Sequence, residues 1–243
     1  MTTRTANRTR GTSAMNQMNY LSVARRELIA AVQATPLIQS LIGGHPDIKS
    51  YETFLTNTWH CLRHNSAVTG LAAIRCTSID ATLADYFFRR AQEDLGCERG
   101  TAADLATLGI TERDLLDSKP APGCAAMIGY EYYVAGHCHP ASLFGWLYML
   151  EALNEDLGPI ISTQLSQAFP PSTGVRFVRA HGKAEKFKTW ELTEQIMEHV
   201  NPLGMAEINH AADVVSKLYL GIFDQSPAKE RIGPARAMAA GSR

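Results

Sequence analysis

Phe144-Gly145-Trp146-Leu147-Tyr148-Met149-Leu150-Glu151 is the stretch on which the fold turns. Everything ahead of its single carboxylate is apolar, aromatic or glycine, and Ala152 and Leu153 follow. A helix that is apolar nearly all round is a buried helix, so Glu151 is carried into the protein. A buried carboxylate is expensive unless it meets a cation, a metal ion or several donors. Glu151 therefore either marks a site or stands at a rim, where it finds a Lys or Arg or caps a neighbouring helix.

Outward from this segment the apolar period is helical in both directions. Leu21, Ala24, Leu28 and Val32 form one stripe over 15–34, which stops near Pro36. Gly43-Gly44-His45-Pro46 predicts a turn, and a long helix follows over 51–74 with Phe54, Leu55, Thr58, Leu62, Val68 and Leu71 inward. A third helix starts near Ser78 and is interrupted near Gly96–Gly100. Thr111 and Asp114 have the spacing of a capping box. Helices are expected over 123–137, 141–168, 175–199 and 205–224, parted by His139-Pro140, Pro170-Pro171 and Asn201-Pro202. No segment alternates with period 2 for the length of a strand. The expected class is all-α, a bundle of seven to eight helices.

The chain of 243 residues is 45% hydrophobic, enough for one sizeable core. We expect one helical domain over 15–225 between a Thr/Arg-rich arm (1–14) and a small, basic tail (226–243), both disordered. With 23 Lys+Arg against 24 Asp+Glu there is no broad electrostatic footprint for nucleic acid or an anionic membrane. No window approaches the length of a membrane span. Cys61, Cys76, Cys97, Cys124 and Cys138 are odd in number and lack CxxC pairing, which argues for a reducing, cytoplasmic setting.

Two further segments carry chemistry. Glu93-Asp94-Leu95-Gly96-Cys97 places a carboxylate and a thiol three residues apart, and Asp104-Leu105 and Leu108-Gly109 follow. His181, Glu185 and Lys188 stand at i, i+4 and i+7 on one helical face. Such a face suits chelation or a base with its orienting partner, and equally an ordinary hydrogen-bonded pair on a surface helix. His137-Cys138-His139, at a helix end, and His60 with His64, one turn apart, read as surface or supporting residues.

Taken together the three segments resemble the haem-oxygenase-like helical superfamily, in the branch that holds TenA-type proteins, pyrroloquinoline quinone synthase, the Chlamydia protein associating with death domains and the haem-oxygenase-like diiron oxidases. The diiron oxidases read roughly E-E-x-G-H with a D-L-x-x-L-G end, then L-G-x-x-Y-x-L-E, then F-x-x-x-H-x-x-x-D-x-x-H. Glu93 to Cys97 with Asp104 to Gly109, Phe144 to Glu151, and Phe177, His181, Glu185 and Lys188 fall in step, over about residues 15–224.

That resemblance implies an oxidoreductase: an iron-dependent oxidase or oxygenase in biosynthesis, acting with O2 on a small amino-acid-like or fatty-acid-like metabolite. Asp94, Cys97, Glu151, His181 and Glu185 would hold one or two iron ions, in an apolar cavity lined by Trp146, Tyr148 and Phe177. It also implies a homodimer.

Two of the family's histidines are replaced, by Cys97 and Lys188. A reduced or mononuclear iron site is one consequence, with Cys97 as a soft ligand. A metal-free site is another, in which Lys188 keeps the carboxylates ionised and Glu151, Lys188 and Tyr148 do the catalysis, as in a cofactor-independent oxidase or a TenA-like hydrolase. A binding protein that has lost the metal is the third. Haem oxygenase proper would need a histidine within 15–34, and thiaminase chemistry a cysteine near Phe144–Glu151, where Cys138 is the nearest.

Overall fold

In a computed structural model the described residues are 19–170, 172–184 and 188–223. They form α-helices and one 3-10 turn, with no strand among them. The terminal arm and tail expected at 1–14 and 226–243 lie outside the described residues.

Helix α1 is described over 19–33 and is followed by α2 (Pro36–Ile42) and α3 (Ile48–Cys76). Then come α4 (Ala81–Glu93), α5 (Glu98–Thr107), α6 (Glu112–Asp117) and α7 (Pro122–His137). The 3-10 turn Pro140–Ser142 leads into α8 (Leu143–Ala168), and α9 (Arg176–Ala184), α10 (Lys188–His199) and α11 (Pro202–Phe223) complete the chain.

Side chains set the starts of these helices. Asp47 Oδ2 accepts from the Ser50 amide at 2.8 Å to cap α3, and Asp80 Oδ1 accepts from Thr82 and Leu83 to cap α4. The Thr111–Asp114 capping box of α6 is present in both directions. The prolines also start helices: Pro36 opens α2, a helix the sequence reading leaves out, and Pro122 sits in the first turn of α7. Between α4 and α5 the backbone reverses at Gly96, whose φ of 81° explains the interruption there.

Helix α8 is the central element, packed by α9, α10, α11 and α2. Residues 143–149 are buried without exception, as the apolar run requires. Helix α11 comes so close that a Cβ on Gly145 would lie 2.4 Å from the Ile208 carbonyl oxygen. Helix α3 packs on α4, α5 and α7 to form the opposite wall. Among the described residues no helix is long and apolar enough to cross a membrane.

Candidate functional site

Between the α3–α4–α7 wall and the α8–α9–α11 wall lies a cavity of about 250 Å³. Glu151 reaches it from α8 with 1% of its side chain exposed. Its counter-charge is Arg90, from the last turn of α4. Arg90 Nη1 lies 2.6 Å from Glu151 Oε1, and Arg90 Nε donates to Asp94 Oδ2 at 3.1 Å. One planar guanidinium thus holds both carboxylates with different edges, the arrangement for which Arg is suited and Lys is not. Burial works against the charge on Arg90, yet Glu151 and Asp94 overcome it and hold the group firmly protonated. Burial lifts the Asp94 carboxyl above its ordinary range against the pull of Arg90, and neighbouring Glu151 adds to the rise. Asn154 Nδ2 donates to Glu151 Oε2 at 3.4 Å from the next turn.

Lys188, at the start of α10, lies at the mouth of the cavity and donates to Glu93 Oε2 at 3.2 Å. Its backbone is fixed by its neighbour: the Thr189 amide and hydroxyl donate to the two oxygens of Glu155 on α8, at 2.9 and 2.7 Å. Arg25 of α1 locks that arrangement, donating to both oxygens of Asp156 at 2.8 Å and to Thr189 Oγ1 at 3.1 Å. It also lies 3.1 Å from Glu155 Oε2.

His181 lines the cavity from α9 and stacks near Phe177, ring centroids 4.1 Å apart. Its Nδ1 lies 2.9 Å from the Phe177 carbonyl oxygen. A carbonyl only accepts, so Nδ1 carries the hydrogen and Nε2 is the ring's acceptor. The start of α9 is held by Asp104, whose Oδ2 accepts from the Phe177 amide at 2.8 Å. Thr107 Oγ1 accepts from the Gly174 amide at 2.7 Å, and Tyr51 donates to the Gly174 carbonyl at 2.9 Å. Gly174 leaves no room for a side chain, since a Cβ there would lie 2.6 Å from Asp104 Oδ1.

Of the residues singled out in the sequence, Asp94, Cys97, Glu151, His181 and Lys188 all line this cavity, with Trp146 and Phe177. Glu185 lies outside the described residues, and so does the middle of the helix expected over 175–199. Tyr148 does not line the cavity. It is buried on α8 near Arg25, because the helical turn that presents Trp146 inward carries Tyr148 to another face. His60 is buried rather than exposed, with Nε2 on Ser118 Oγ at 2.9 Å, and His64 pairs with Tyr132. His139 caps the 3-10 turn through Nδ1, accepting from the Ala141 amide.

Two charged cavity residues escaped the sequence reading, Arg90 and Glu131. Both continue an inward stripe: Leu83, Phe87 and Arg90 fall at i, i+4 and i+7, and Cys124, Met127 and Glu131 at i, i+3 and i+7. A charge in phase with an apolar stripe was the available signal. Glu131 is 2% exposed, and its Oε2 has no hydrogen-bond partner among the described residues. Burial raises its carboxyl well above the ordinary range.

The expected donors do not converge on a metal position among the described residues, and Glu185 lies outside those residues. Among the described residues no group of three or more His, Cys, Asp or Glu is arranged to hold one. Asp94 and Glu151 converge on a guanidinium, and Lys188 adds a second cation at Glu93. Burial pushes the Cys97 thiol up to about 12, so it is not a thiolate near neutral pH, and it points weakly at the Leu62 carbonyl, 3.6 Å away. The site can instead hold a buried, arginine-paired carboxylate against a small molecule, with a lysine at the entrance.

No protein-family model matches the sequence, and no curated protein matches it. The architecture does match solved structures. A domain of unknown function with a haem oxygenase-like fold from Shewanella denitrificans superposes with a TM-score of 0.75 at 22% identity, over 84% of this chain and 88% of that one. A TenA homologue from Pseudomonas syringae gives 0.72 at 16% identity, over 86% and 91%. A TenA homologue from P. horikoshii gives 0.71 at 11%, over 86% and 96%. This chain therefore has the all-helical fold of the haem-oxygenase-like and TenA proteins.

Proposed function

We propose that this chain is a metal-independent enzyme that performs acid–base chemistry on a small molecule held in the cavity. The observation that supports it is the Arg90 guanidinium lying between Asp94 and Glu151. A cation built into the chain takes the place where two carboxylates would otherwise call for a metal ion, and it supplies the counter-charge of Glu151 in a dry pocket. Glu151 is the base: it accepts a proton from the substrate, or from a water molecule that attacks it. Lys188 at the mouth donates to the charge that develops on the substrate, and Thr189 and Glu155 hold it in place. The walls, chiefly Phe54, Met127, Trp146, Leu150 and Phe177, exclude water and select an apolar body. Hydrolysis of the TenA-like kind and cofactor-free oxidation both draw on this set. The iron-dependent oxidase implied by the motif pattern requires Asp94 and Glu151 to turn away from Arg90.

Anaerobic iron loading followed by metal analysis, alongside a turnover screen that follows hydrolysis and O2 uptake, tests the reading. The expected result is substoichiometric iron in the wild type and turnover that is lost in Glu151→Gln and reduced at least tenfold in Lys188→Ala. Stoichiometric iron that disappears in Glu151→Ala and His181→Ala would overturn it.

A further inference from the structure

The mouth of the cavity, at Lys188 and Glu93, is partly exposed, with side-chain exposures of 32% and 59%. The opposite end is closed by Glu131 of α7, which lines the cavity and is nine-tenths or more buried. The catalytic proposal makes no use of this residue. Unlike Glu151, it meets no cation among the described residues. The groups that act on or around it are Cys61 of α3, Cys124 and Tyr132 of α7, and Tyr219 of α11. Burial raises the Tyr132 and Tyr219 groups as well, and neighbouring Cys124 together with burial raises the Cys61 thiol, so all three stay protonated and neutral. From α8, Trp146 and Glu151 line the same cavity as Tyr219. Among the described residues the pocket therefore has a carboxyl at its floor with neutral groups around it, and the cations that line it, Arg90 and Lys188, are paired with Glu151, Asp94 and Glu93.

We propose that Glu131 is a ligand-binding residue that receives the positively charged nitrogen of an amine-bearing substrate. A buried acid with an unpartnered oxygen is a standing cost to the fold unless something supplies the partner. The described residues supply none. An anionic ligand is disfavoured, because the site already sets Glu93, Asp94 and Glu151 against Arg90 and Lys188, and Arg90 is occupied on both edges. A ligand ammonium reverses the balance: it gives Glu131 a counter-ion and meets the ring faces of Trp146 and Tyr219. When the ammonium binds, a protonated Glu131 carboxyl releases its proton to solvent while the nitrogen keeps its own, so the closed site gains one ion pair and the buffer one proton. This rests on the reading of the cavity as the substrate's place, and it adds the substrate's chemical class.

The test uses binding, which does not depend on turnover. Benzylamine and benzyl alcohol are titrated at up to millimolar concentrations against the full chain, followed by protein fluorescence and by the infrared carbonyl band of a protonated carboxylic acid. The expected result is at least tenfold tighter binding of benzylamine, loss of the acid band on its addition but not on addition of the alcohol, and loss of the preference in Glu131→Gln. Equal binding of the two compounds, an acid band that survives amine binding, no amine binding at all, or a preference that persists in Glu131→Gln overturns the inference. Should Glu131→Gln not fold, Glu131→Leu, which removes a buried unpartnered acid, takes its place in the same comparison. Glu151→Gln is expected to abolish turnover and still bind benzylamine, so a failed catalytic reading and a failed amine site give different patterns.

Discussion

Arg90 and Glu151 meet at 2.6 Å across the gap between α4 and α8, with 10% and 1% of their side chains exposed. A pair this dry is not a surface ornament: removing one partner leaves a charge that nothing solvates. Arg90→Ala should lower the unfolding free energy by about 3–5 kcal/mol, measured by urea denaturation at neutral pH. The triple replacement Arg90→Met, Asp94→Leu, Glu151→Leu, which removes the charges together, should cost far less. A loss under about 1 kcal/mol for Arg90→Ala, the range of an exposed pair, would show that the cluster is hydrated.

Glu131 gives the pH dependence a sign. Its folded carboxyl titrates well above the ordinary value of 4.5 because it is desolvated. Between those two values the folded chain keeps a proton that the unfolded chain has lost. Stability from this group is therefore complete below pH 4.5 and declines as pH rises toward the folded pKa, by up to about 1.4 kcal/mol per pH unit. Burial raises Asp94 in the same sense. Chemical denaturation across pH 5–8 should show the decline in the wild type and a shallower one in Glu131→Gln. Parallel slopes would mean Glu131 is ionised in the folded chain.

Asp104 tests how α9 is positioned. Its Oδ2 is the partner of the Phe177 amide at 2.8 Å, the role of a capping residue. Asp104→Ala should cost about 1–2 kcal/mol and should raise amide exchange chiefly over residues 176–181. Unchanged protection there would place the anchoring of α9 in the Gly174 contacts alone.

Cys97 should be a slow nucleophile. With its thiol pushed up to about 12, its thiolate fraction at pH 8 is roughly a thousandfold below that of an ordinary cysteine. Iodoacetamide labelling followed by peptide mass analysis should find Cys97 lagging a free thiol by at least a hundredfold. Fast labelling would restore it as a candidate ligand or nucleophile.

The apolar run ending at Glu151 was enough to read a buried helix and an all-helical class, because apolar side chains at every phase leave a helix nowhere to go but inside. Glycine and proline then marked most of the breaks, as at Gly96. Pro36 was read as a break but opens a helix, since the proline signal is the same at a helix start and at a stop. The site was half legible. Asp94, Glu151, His181 and Lys188 were found by pattern, and the structure brings them to one cavity. What binds them was not found, because Arg90 and Glu131 belong to no motif and acquire their roles only when α4 and α7 face α8. Tyr148 failed for the opposite reason: its place in a motif says nothing about which way the helix turns it.

The clasp that Arg25 makes with Asp156 and Thr189 also has a meaning in time. Arg25 and Thr189 are 164 positions apart, and chains emerge at about 5–20 residues per second, so roughly 8–30 s of synthesis separates them. Until Asp156 is made, 131 positions on, the first helix carries a guanidinium without its carboxylate partners, and Thr189 follows later still. The entrance lysine is fastened only when most of the chain has left the ribosome, so the pocket is completed late in the protein's birth.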